Sequence, residues 1–469
     1  MGVRTQFSKN LNNTGSFIIA GLLIALFFIP PLIFVPISYN GVWIATNYRE
    51  IKLAAVSICA WALIASFIRF RLGKYPTSII KMVLKDPILW GLGALTLLSL
   101  ISASYAYVWE AALYEGYQWF TLSALYIVLA LLFLEEKWRR LALITITIAF
   151  ALVSIIGFIQ LKTDIPFLLG MHYKITSTFG AKNPCFVSLS SQIFIVLFLT
   201  LYFFFKRKIA LSFFFAIIFF AELLYVALSQ SRTSLAGLVG GGIILVLCLL
   251  FFLKNNKLKG ILLAVCIIAA IALPIVAKSI FPQSWHRTVR TIESKVKPLL
   301  KNPNLYFRRA RGQALLDTLD MVKENPFGVG AGNWGFAYCL YHKRVNKRAF
   351  RKTNQMLRAH NDYVQMLGEL GIPGFLILVS LFLVQVYRMG KILRKKEMED
   401  KEKLLFILIS VQISIVAIML LFTYYLEYPY RKFLFVFLMA LTSSLYFANK
   451  FSNQRILTET VSAPSKDSI

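Results

Sequence analysis

The 469-residue chain is short of charge. Only 15% of its residues are Asp, Glu, Lys or Arg, where a soluble domain carries roughly a quarter. That shortage excludes an ordinary water-soluble globule of this size. Cysteine is also scarce. Cys59, Cys185, Cys248 and Cys266 sit in or at apolar runs and only Cys339 in a polar loop, so neither a disulfide framework nor a Cys/His zinc site is expected. Also missing are the alternating stretches of a membrane barrel, a DxD acid pair, a GK[ST] phosphate loop, an internal repeat and a second soluble unit.

Apolar sequence is what the chain has instead: 58% of residues are hydrophobic and mean hydropathy is +0.68. Runs of about 20 apolar residues recur, the length that crosses a bilayer as a helix. An all-α integral membrane protein is expected, with twelve spans near 15–37, 51–70, 86–107, 118–134, 140–160, 185–205, 209–229, 233–253, 260–277, 363–387, 404–424 and 433–449. The first run holds Pro30-Pro31 and lacks a small-residue cleavage site, so it reads as a span and not a removable leader. One membrane domain is expected over 1–450, with a large outer loop over 278–362 between spans nine and ten. The polar stretch 451–469 reads as a disordered tail.

Lys and Arg number 51 against 21 acids. Of these, 26 lie at the termini and in alternate short loops and eight in the short loops of the other parity. The positive-inside rule then puts both termini in the cytoplasm, in a cytoplasmic (inner) membrane. The remaining 17 lie within 278–362, facing five acids; so long a loop escapes the rule. An outward-facing basic excess suits lipid phosphates, a diphosphate-linked lipid or an anionic glycan, and no nucleic acid is expected as partner.

Several polar residues stand out against this background. Glu222 lies inside a span, where a carboxylate either has a function or is hydrogen-bonded between helices. Arg232 follows Ser229-Gln230-Ser231 at the mouth of span eight, placed to bind an anion or to reach lipid headgroups. Gly237 and Gly241 form a small-residue face for close helix contact. Val108–Phe120 reads as an interfacial segment or a connecting turn. Between spans five and six, His172, Lys174 and Lys182 are the polar candidates; a lone loop histidine is more often simply solvated.

The outer loop carries most of the remaining signal. A helix is expected from about Asn304 to Glu324, with Leu315, Leu319 and Val322 on the face of Arg311, and Asp317 and Asp320 on the solvated side. Arg308 and Arg311, three apart, present guanidinium forks to one anion or rest on headgroups. FGVGAGNW reads as a tight turn that brings backbone close to a neighbour. In AHNDYVQMLGELGIPG the chain re-enters the membrane. Asn361 or Asp362 caps that helix, while Asp362, Gln365 and Glu369 share a face, and Glu369 must face protein or water. His360, at a helix N-terminus, is held neutral, as a general base requires.

The set SRTSLAG, then Arg311 ahead of NPFGVGAGNW, then AHNDYVQMLGELGIPG resembles the O-antigen ligase and polymerase family, most closely over about 229–387. TFGAKNP, Thr178 to Pro184, is similar to a further segment of that family. The resemblance implies a membrane glycosyltransferase with twelve spans and a large outer loop. It implies a polyprenyl (undecaprenyl) diphosphate-linked glycan as donor and a lipid A–core oligosaccharide or growing glycan as acceptor, among membrane lipids. Arg232 and Arg311 would contact the diphosphate and His360 would be the catalytic histidine. Arg308, Asn361, Asp362, Glu369 and Lys182 are further substrate-binding candidates, and neither a metal nor a cofactor is expected. A polymerase or a protein O-oligosaccharyltransferase of the same family is an alternative. A lipid-linked glycan flippase is the rival from another class, weakened by the lack of an inverted repeat.

Overall fold

A computed structural model describes residues 2–461 except 34, 40–41, 47–48, 163–176, 180–181, 230, 296, 308–309, 342–357 and 396. Among these, eleven helices are long and apolar enough to cross a membrane. A twelfth span is the pair Thr77–Leu84 and Pro87–Ser102, bent by 52°. Each expected span has its counterpart. The bend lies at Lys85-Asp86, where Asp86 caps the second helix through Ile88 N and Pro87 takes the first helical position.

The segments between spans add one short element and correct two expectations. An antiparallel hairpin, Val35–Tyr39 with Val42–Thr46, joins the first two spans. Val108–Phe120 is neither a flat interfacial segment nor a turn: helix Trp109–Leu132 starts there and runs straight into the span. The outer helix is shorter than expected, Ala310–Glu324, after a single turn at Pro303–Leu305. Its buried face is Ala314, Thr318 and Met321, with Leu319 exposed, and Asp317 is buried against Tyr338 where a solvated acid was expected. The last helix runs Pro429–Val461.

Three polar clusters inside the bundle are hydrogen-bonded between helices. Asp86 receives both terminal nitrogens of Arg388 at 2.7 and 3.2 Å, and the Tyr126 hydroxyl joins the same network at 2.6 Å. The span Asn183–Phe205 breaks at Ser190–Gln192. Gln412 closes the gap: its amide nitrogen donates to Ser190 O and its carbonyl accepts from Phe194 N. Glu222 accepts from Gln192 at 2.6 Å, the hydrogen-bonded reading of that carboxylate. Gly237 and Gly241 lie against Ile415 and Met419 of helix Asp400–Leu420, so close that an added Cβ would come within 3 Å of a side chain. The expected small-residue contact is therefore present.

The FGVGAGNW turn docks backbone to backbone on the re-entry helix Asp362–Leu393, which kinks at Gly371 (φ 65°). Val329 N donates to Gly368 O, Gly330 N to Glu369 O and Ile372 N to Pro326 O, all at 2.9–3.0 Å. A Cβ on Gly328 would lie 2.3 Å from Glu369 O, and one on Gly371 2.1 Å from Pro326 O, so only glycine fits at either place. Asn333 fastens the other side of the turn, its side-chain amide pairing with both backbone groups of Val108. A small second core, with Ala314, Met321, Trp334 and Val364, joins the outer helix to the membrane body.

Candidate functional site

The site begins where helices start. Arg232 is the first residue of helix Arg232–Phe252, whose N-cap is Ser231. Arg311 is the second residue of Ala310–Glu324, and His360 stands just ahead of the Asn361 cap of Asp362–Leu393. Backbone N–H groups at such ends are unpaired by the helix and carry partial positive charge. The fold brings these three side chains together although they come from distant parts of the chain. Arg232 and Arg311 both act on the charge of His360, and Arg232 acts on Arg311.

One carbonyl gathers two of the elements. Phe422 O, just past the end of helix Asp400–Leu420, accepts from Arg311 Nη1 at 3.0 Å and from Thr233 Oγ1 at 3.2 Å. No carboxylate among the described residues pairs with Arg232 or Arg311. Arg232 is exposed, while Arg311 is more enclosed; burial first, then the neighbouring Arg232, holds its pKa below the usual arginine value. Two guanidiniums without a carboxylate partner among the described residues, each at a helix start, are an arrangement whose chemistry suits an anion.

His360 adopts a left-handed backbone, φ 55°, which is uncommon for a side chain of this kind and recurs at functional positions. Its ring meets Tyr424 edge-on at 4.8 Å, and its Nδ1 is buried without a hydrogen-bond partner among the described residues. Burial, then the charges of Arg311 and Arg232, bring its pKa from 6.5 down to about 4. The imidazole is therefore neutral at pH 7.

The other expected residues fall into separate groups. Asn361 is the helix cap, accepting from Tyr363 N and Val364 N. Asp362 holds the connecting segment instead, accepting from Tyr425 N and Leu426 N. Glu369 is enclosed in protein, as a carboxylate in a span requires, and accepts from Gly332 N at 2.9 Å and Gln365 at 3.1 Å. Asp362, Gln365 and Glu369 do share a face, and they line a common cavity. Lys182 opens helix Lys182–Ser190, but its side chain, Arg308 and His172 lie outside the described residues.

Sequence reading passed over the FTYYLEYPYRK stretch that joins the last two spans. Tyr424 meets His360, and the buried Arg431 donates to Tyr424 O while lying over the rings of Tyr425 and Tyr428. Lys432 pairs with Glu115, and Glu427 with Arg358. A run of tyrosines with two cations at a helix mouth was the available signal; it reads equally well as an interfacial aromatic belt.

No curated protein matches the chain. Residues 215–379 match the model of a family described as O-antigen ligase, and that interval contains Arg232, Arg311, His360 and the glycine turn. Proteins of this kind are glycosyltransferase-like and act between a lipid-linked glycan and an acceptor. Over this segment, about a third of its length, the chain is similar to the O-antigen ligase family, a likeness that supports a ligase- or polymerase-like function.

Proposed function

We propose that the protein moves a glycan from polyprenyl diphosphate to an acceptor hydroxyl, the lipid A–core oligosaccharide first among acceptors, at the outer face of the cytoplasmic membrane. The observation that carries this reading is the meeting of Arg232, Arg311 and a neutral His360 at three helix starts, with no carboxylate among the described residues to neutralise the arginines. The acceptor O–H bond breaks as His360 takes its proton, and the oxygen forms a bond to the anomeric carbon. The bond from that carbon to the diphosphate oxygen breaks on the opposite face, inverting the centre. The departing electron pair stays on the diphosphate, where Arg232 and Arg311 neutralise it. His360 needs no positive charge at any stage before transfer, in keeping with its lowered pKa.

In this scheme the arginines do the charge neutralisation that a metal ion performs in other glycosyltransferases. Purified protein is expected to keep its activity in EDTA; loss that magnesium restores would overturn this part of the scheme. The central test is transfer from a defined lipid-linked donor to each acceptor class, with wild type and His360→Ala. The variant is expected to express and bind donor normally but to lose nearly all transfer. Near-normal turnover would remove His360 from the base role.

A further inference from the structure

A cavity of about 300 Å³ lies beside the site, and Arg232, Arg311 and His360 do not line it. The segment after helix Asp400–Leu420 links the two places. Its start, Phe422, holds Arg311; Tyr424 meets His360; Leu426 and Glu427 face the cavity. Asp362, two residues past His360, also lines the cavity and fixes this segment through Tyr425 N and Leu426 N.

The chemistry of the lining is the reverse of the arginine site. Four carboxyl groups, Glu115, Asp362, Glu369 and Glu427, stand with two cations, Arg358 and Lys432. Arg358 is paired with Glu427 and Lys432 with Glu115, so neither cation is left for an anionic ligand. Gln365 is 8% exposed; its amide nitrogen donates to Glu369, but its buried Oε1 has no hydrogen-bond partner among the described residues. A buried acceptor without a donor costs free energy unless a ligand supplies the hydrogen. Aromatic faces complete the wall: Trp119 is buried, and Phe336, 57% exposed, stands at the cavity's edge.

We propose that this cavity binds an uncharged sugar ring of the acceptor glycan, a reading that rests on the transfer function proposed above. Sugar hydroxyls are the donors that Gln365 Oε1 lacks, and the C–H faces of a sugar ring suit aromatic side chains. The volume is at the lower end of the about 300–1,000 Å³ usual for small-molecule sites, enough for one or two rings. With Arg358 held by Glu427 and Lys432 by Glu115, the lining offers no cation to a phosphorylated or uronic ring, while Arg232 and Arg311 attract the diphosphate. Inverting transfer requires acceptor and leaving group on opposite sides of the anomeric carbon. The segment Phe422–Glu427 touches Arg311, His360 and the cavity in turn, so the anion site and the polyol site adjoin the same base.

The test is binding to the full chain in phospholipid nanodiscs, free of glycoside detergent, by saturation-transfer NMR. The probes are methyl β-glucoside, methyl N-acetylglucosaminide and methyl glucuronide, with no donor present. The two uncharged glycosides are expected to show saturation transfer and the glucuronide little. Gln365→Leu and Phe336→Ala are each expected to weaken binding about tenfold, the effect of one lost well-placed contact. Phe336 is exposed, so its variant does not depend on repacking a core. Added polyprenyl diphosphate should leave the signals in place.

Absent signals, an equal glucuronide signal, or signals unchanged in both variants would overturn the sugar site. Displacement by polyprenyl diphosphate would assign the cavity to the donor and overturn the acceptor reading. Binding is read without turnover, so its failure is distinct from failure of the transfer chemistry, which His360→Ala tests separately.

Discussion

The pH dependence of transfer gives the sharpest test of the arginine–histidine arrangement. With its pKa at about 4, His360 is about 97% neutral at pH 5.5; an ordinary histidine at 6.5 would be about 9% neutral there. Free enzyme should therefore keep almost all of its kcat/KM at pH 5.5 and lose it only as pH approaches 4. A bound diphosphate adds negative charge between the arginines and offsets their repulsion, so the acidic limb of kcat, which reports the complex, should lie at higher pH than that of kcat/KM. Arg232→Met removes one repelling charge and should move the kcat/KM limb upward, toward 6.5. The assay is initial rates from pH 4.5 to 8 in a single nanodisc preparation with a defined lipid-linked donor. A wild-type kcat/KM limb near 6.5, or a kcat limb below that of kcat/KM, would refute the reasoning. Stability should show the same sign. The unfolded chain takes up this proton below about 6.5 and the folded chain only near 4, so His360 favours the fold above that window and ceases to as pH falls through it.

Three further outcomes are expected. Arg311→Lys keeps the charge but loses the planar fork that reaches Phe422 O, and kcat/KM should fall about 10- to 100-fold for one or two lost charge-assisted hydrogen bonds; wild-type activity would return Arg311 to a headgroup contact. Gly371→Ala sets a Cβ 2.1 Å from Pro326 O at a positive φ, and should cost about 2–4 kcal/mol through backbone strain and lost turn hydrogen bonds, read as a lower Tm with reduced transfer. Arg388→Met leaves the Asp86 carboxylate buried without its cation and should cost about 3–5 kcal/mol, while the Asp86→Asn/Arg388→Met double variant should recover part of the loss in thermal unfolding.

The spans were legible because their signal is length and apolarity, which the bilayer imposes on each helix separately. The helix starts that carry Arg232, Arg311 and His360 were legible because each stands at a break between apolar and polar sequence, and the glycine turn because alternate glycines announce close backbone approach. The partner of that turn was not, since nothing in FGVGAGNW names Gly371. Asp317 and Leu319 were read the wrong way round because a helix of mixed composition does not declare which face the membrane body will cover. Tyr424 and Arg431 escaped notice for a related reason. Their role exists only once helix Asp400–Leu420 has carried the chain back to His360, and local sequence does not record that return.

The seam between the glycine turn and the kinked helix is made of peptide groups, with carbonyls and amides meeting where no side chain intervenes. Its register is thus indifferent to the identity of neighbouring side chains. Phe327, 69% exposed on the turn, is free to change without moving Glu369 or the cap at Asn361. Such a joint separates what must stay fixed from what can diversify. Around it, the outer surface can change while Glu369 and the Asn361 cap keep their places.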